Sequence, residues 1–119
     1  MKEDNAIKKK SYQFALVIIA LYKELQNDKE FVLSKQLLRS GTSVGANVTE
    51  ASAAQSKKDF IAKLSIASKE ARETLYWLSL IKDSNLTSIN VDDQITLCHE
   101  LVKLLTSILK TLQIEPIKN

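Results

Sequence analysis

The sequence predicts an all-α protein: an antiparallel up-down four-helix bundle, a single domain over residues 1–119, assembling as a homo-oligomer. Three observations carry the bundle. Four long apolar seams keep the alternating three-and-four spacing of a helix face. Glycine and proline number only two and one, too few for an all-β chain that must turn every few positions. The polar interruptions between seams are short, and helices joined by short connections alternate in direction.

The first helix is expected at about residues 7–25, with Ile7, Phe14, Ile18, Leu21 and Leu25 on one seam. Ala15, Val17, Ile19 and Tyr22 widen its apolar surface, which therefore asks for burial on more than one side. Residues 1–6 are polar and read as a frayed start. Asn27, Asp28, Lys29 and Glu30 read as a loop.

The second helix, at about 33–54, has an inward face of small residues: Leu37, Gly41, Val44, Val48 and Ala51. Gly41 and Gly45 leave a groove that a neighbouring backbone can approach closely. Two glycines, with Thr42, Ser43 and Thr49 among them, cost the helix roughly 2 kcal/mol in propensity, which only close packing recovers.

Ser56 and Asp59 form a capping-box pattern before Phe60 and start the third helix, at about 57–83. Its seam is Phe60, Leu64, Ala67, Ala71, Thr74, Leu78 and Ile81. Ile66, Trp77, Leu80 and Tyr76 lie off that seam and read as a subunit interface. The fourth helix, at about 91–113, starts from Asn90 with Asp93 three residues on. Val91, Ile95, Cys98, Val102, Leu105, Leu109 and Leu112 form its seam, and Pro116 ends it.

Catalytic chemistry finds no support. His99 is the only histidine, whereas a di-metal bundle needs two Glu-x-x-His pairs, so neither a metal nor a cofactor is expected. Gly41 and Gly45 have three residues between them, and Ala46-Asn47 follows where a phosphate loop requires Lys and Ser or Thr. Glu50, with Asn47 one turn before it, lacks a partner acid or base. The sequence therefore predicts no enzyme. The single Cys98 sits on a seam, reads as a small buried hydrophobe, and suits a reducing cytoplasm. The longest apolar run, residues 14–22, is too short to span a bilayer. KELQND follows where a signal peptide would be cleaved, so neither export nor a membrane is expected.

The net charge is +3, with the basic excess in residues 1–59. Lys35, Arg39, Lys57, Lys58 and Lys63, with Lys8, Lys9 and Lys10, are the candidates for a basic surface that engages RNA or DNA. Scattered solvated charges with local pairs such as Asp59 and Lys63 are the competing reading. No base-reading motif is present, so binding would be indifferent to sequence.

The segments LSKQLLRSGTSVGANVTEA (33–51), AQSKKDFIAKLSIASKEARETLYWL (54–78) and KKKSYQFALVIIALY (8–22) resemble the bacterial 23S rRNA intervening-sequence family. That family is related to the accessory variability determinant of diversity-generating retroelements. The resemblance implies a homopentameric ring and an adaptor role, with the basic surface on RNA or DNA beside a protein partner. Ser43-Val44-Gly45-Ala46-Asn47 departs from the proline-containing S-I-P-x-N of many members, and Glu50-Ala51 stands where others have Glu-Gly. The expected function is a non-enzymatic oligomeric adaptor that binds nucleic acid non-specifically. The alternative is a protein–protein interaction scaffold with no nucleic-acid role.

Overall fold

The computed structural model describes residues 2–114, which contain four helices and no strand. They are α1 (Lys2–Asn27), α2 (Leu33–Ser52), α3 (Lys57–Ser84) and α4 (Asp92–Ile114). Consecutive helices run antiparallel. Gly41 and Gly45 of α2 meet Ile18 and Ser11 of α1, in falling order. Ser40 of α2 meets Thr74 of α3, while Val48 and Ala51 lie beside Phe60 and Leu64. Cys98 of α4 bonds Ala71 of α3, and Lys82 at the end of α3 pairs with Asp92 at the start of α4. With α4 also packed on α1, the four close around one core in a body of 52 × 22 × 21 Å.

α1 begins at Lys2, not near Ile7. Residues 2–6 contain neither glycine nor proline, and polarity alone does not stop a helix. Its other end is closed by Lys29 in the left-handed region, φ 64°. The Glu30 N–H reaches back to the Leu25 carbonyl and the Lys29 N–H to that of Gln26, the paired bonds of a Schellman stop. Glu30 then caps the next helix. Its carboxylate accepts from the N–H groups of Val32, Leu33 and Ser34 at 3.3, 3.0 and 2.7 Å. Burial alone would raise its pKa; those three bonds and the Ser34 hydroxyl outweigh burial and hold it below the usual value.

α2 ends at Ser52, two residues short of expectation, as the N–H groups of Ala53 and Ala54 turn onto the carbonyls of Glu50 and Ala51. Ser56 caps α3 by accepting from the Asp59 N–H at 3.0 Å. Asn85, left-handed at φ 57°, terminates it. Asn90 receives the Asp92 N–H at 2.8 Å, so α4 starts at Asp92. Pro116 lies outside the described residues.

The core is the seams brought face to face. Phe14, Ile18, Leu37, Val44, Leu64, Leu78 and Leu105 are all buried. The fourth seam keeps Val91, Cys98, Leu105 and Leu112 buried as expected and shifts by one residue at two positions. Leu101 and Ile108 point inward, and Val102 and Leu109 are half-buried flanks, because α4 packs on α3 on one side and α1 on the other. Small residues set the spacing of α1 and α2. A Cβ at Gly41 would lie 2.8 Å from Ile18 Cγ2, and one at Gly45 would lie 3.2 Å from the Ser11 carbonyl oxygen. Both contacts are tighter than an alanine tolerates without a shift.

Candidate nucleic-acid interface

The antiparallel fold divides the lysines that the sequence grouped together. Lys8 lines a cavity of about 290 Å³ with Ser52, Ala54 and Phe60, at the turn between α2 and α3. Lys57 and Lys58 open α3 at that same end, and Lys63 follows two turns on. Lys8, Lys9 and Lys58 are exposed, while Lys57 and Lys63 are half-buried. Lys10 is two residues from Lys8 and faces α4, where it lines another cavity with Leu97 and Glu100. Lys35 lies near the far end of the bundle. The Ser40–Thr74 contact sets the α2–α3 register and puts Lys35 on the order of 30 Å from Lys57 along the axis, at helical rise.

Arg39 does not join either group. Its guanidinium bridges to Glu70 at 3.2 Å and also pairs with Glu73, both on α3. Two carboxylates already compensate its charge, which weakens it as a phosphate ligand. Glu73 also accepts the indole N–H of Trp77 at 3.0 Å, so Arg39, Glu73 and Trp77 form one linked group on the α2 side of α3.

This pairing sorts the charges of α3. In Lys69-Glu70-Ala71-Arg72-Glu73, Ala71 faces the core and both acids turn toward Arg39. Lys69 and Arg72 fall on the opposite flank, beside α4. There they line a groove of about 530 Å³ with Lys110, the hydroxyl residues Ser65, Ser68 and Thr106, and Leu109 and Gln113. Among the described residues no carboxylate lines it. Sequence reasoning missed Lys69 and Arg72 because each adjoins an acid in the chain, and Lys110 because it stands apart from other cations; only the helical angle between residues 69 and 70, and 72 and 73, and the packing of α4 on α3 bring the three together.

The remaining candidates are placed as follows. Asn47 donates to the Ser43 carbonyl on its own helix, and Glu50 lines a shallow cavity with Tyr12, Ala15 and Thr49. Cys98 is fully buried, its thiol donates to the Ala71 carbonyl, and burial pushes its pKa up to about 12. Of the expected subunit interface, Ile66 and Tyr76 are exposed, whereas Trp77 and Leu80 are half-buried and Trp77 packs against the core. Tyr12 and Leu16, one turn apart on α1, are more exposed than Ile66 and were not anticipated. No helix among the described residues is long and apolar enough to cross a membrane.

Together these features define a small all-α protein with a sorted basic flank. The chain belongs to the family of 23S rRNA-intervening sequence proteins, whose family model matches residues 3–107. It is also similar to a protein of unknown function from the S23 ribosomal protein family of Bacteroides thetaiotaomicron VPI-5482, solved by crystallography at 1.70 Å. The two are 53% identical, with a TM-score of 0.85, over 91% of this chain and 98% of the other. Comparison with curated proteins finds no match.

Proposed function

We propose that the protein is a non-enzymatic, self-associating adaptor that binds RNA or DNA without sequence preference. The observation that carries this reading is the placement of Lys8 and Lys9 of α1 and of Lys57 and Lys58 of α3 at the same end of the bundle. The family's description, which refers to ribosomal RNA, supports the same class of partner. A charge of +3 on one chain is weak. Several copies in one particle multiply such contacts into avidity when one polymer reaches several of them. Exposed Leu16, Tyr12 and Ile66 supply apolar surface for self-association, and the family resemblance implies five copies in a ring. A cytoplasmic location belongs to the same proposal and agrees with a single, unpaired cysteine.

The test is an anisotropy titration of labelled RNA and DNA at low and physiological salt. Binding should be similar across sequences and fall steeply with salt through counterion release. A folded protein that binds neither polymer at low salt overturns the reading. The second reading, a protein-only scaffold, then takes its place; the exposed apolar residues favour it equally.

A further inference from the structure

We propose that the groove between α3 and α4 is the track for a single nucleic-acid strand. Lys69, Arg72 and Lys110 hold its phosphates, and Tyr76 stacks on one of its bases. This rests on the nucleic-acid reading above and goes beyond it in naming the site, the form of the polymer and the residues.

Charge comes first. The groove gathers three cations and no carboxylate in its lining, and no ion pair engages any of the three among the described residues. Its hydroxyls, Ser65, Ser68 and Thr106, are of the kind that donate to phosphate oxygens. Glu70 and Glu73, the acids that adjoin Lys69 and Arg72 in the chain, are paired with Arg39 of α2. Lys58, Ser65, Lys69, Arg72 and Tyr76 recur at intervals of seven, four, three and four residues, one continuous stripe along α3. Lys58 therefore links the groove to the lysines at the bundle end.

Tyr76 adds the preference for a single strand. It lies one turn beyond Arg72 on the same flank, and its side chain is more than half exposed, at 58%. It is also held in place: the Trp77 ring meets it edge-on at 5.2 Å, and the Trp77 indole is tied to Glu73. A fixed, exposed aromatic beside a row of cations is the arrangement that binds unstacked bases, whereas a duplex keeps its base faces covered.

The experiment titrates a labelled oligo(dT) or oligo(U), and a duplex of equal length, against wild type, a Lys69→Gln/Arg72→Gln/Lys110→Gln variant and Tyr76→Ala. All four side chains are exposed, so circular dichroism and light scattering should match wild type. The triple variant should bind the single strand at least tenfold more weakly. Its salt slope should be shallower by about 2, three phosphate contacts at roughly 0.7 each. Tyr76→Ala should lose roughly 5- to 150-fold on the single strand and leave duplex binding unchanged. Trp77 is the only tryptophan, and its fluorescence should respond to oligo(dT) in wild type. If wild type binds but both variants bind equally well, the groove is overturned and the nucleic-acid reading survives on the bundle-end lysines. A duplex bound as tightly as the single strand, with Tyr76→Ala harmless, overturns the stacking role. No binding by wild type at low salt overturns both proposals together.

Discussion

At Gly41, one missing methyl group decides how closely two helices meet. An added Cβ would press on Cγ2, Cγ1 and Cβ of Ile18, at 2.8, 3.0 and 3.2 Å, a branched side chain with no room to swing away. Gly41→Ala should therefore destabilise by about 1–3 kcal/mol, less the roughly 1 kcal/mol that alanine returns in helix propensity. Ile18→Ala removes the two nearest atoms, so the double variant should lose clearly less than the sum of the singles in denaturant melts. Additive losses would mean that the contact does not limit the packing. At Gly45 the obstacle is the Ser11 backbone, which no rotamer change can move, so Gly45→Leu should be the more damaging. Cys98 tests burial by reactivity. With its thiol pushed up to about 12 and no exposed surface, it should resist thiol reagents in the native protein at pH 8 and react once denaturant unfolds it.

At the scale of the element, the helix ends depend on a few side chains. Glu30 closes α1 with its backbone and opens α2 with its carboxylate, which accepts three N–H groups. Because its folded pKa lies below its unfolded one, its contribution is present above the unfolded value of about 4.5 and is lost as pH falls through the lower, folded value. Glu30→Gln should cost about 1 kcal/mol at neutral pH, and the two melting curves should converge in acid. A gap that persists below the folded pKa would assign the loss to shape and not to charge. α2 and α3 are further joined by Arg39 with its two carboxylates and by the Ser40 and Thr74 hydroxyls, 2.9 Å apart in the core.

Across the whole molecule, four seams close on one another and leave two kinds of outer surface. The apolar kind includes Tyr12 and Leu16 on α1 and Ile66 on α3, with Val32 and Leu86 exposed at the far end; the basic kind runs along α3 beside α4. If the apolar surface joins copies, wild type should scatter light as a multiple of the 13.4 kDa chain. Leu16→Glu or Ile66→Glu should then release monomers, because an unpaired carboxylate in an apolar contact is expensive. A wild type that is monomeric at micromolar concentration removes self-association. Trp77 is unsuited to this test, since it packs on the core and its loss would also weaken the fold.

Periodicity along the chain determined the four helices, the Ser56 cap and most of the core, because a seam such as Phe14, Ile18, Leu21 and Leu25 is a local repeat that needs no partner to be recognised. The glycines also announced a close approach, but not that Ile18 and the Ser11 carbonyl make it. The distribution of charge was decided only by the tertiary structure. Whether a lysine belongs to a basic surface depends on which helix flank it occupies and which acids the neighbouring helix draws away. Arg39 and Glu70, 31 residues apart, meet only when α2 lies along α3. The ion pairs of Arg39 compensate its charge and engage Glu70 and Glu73 on the α2 side, while Lys69 and Arg72 line the groove beside α4.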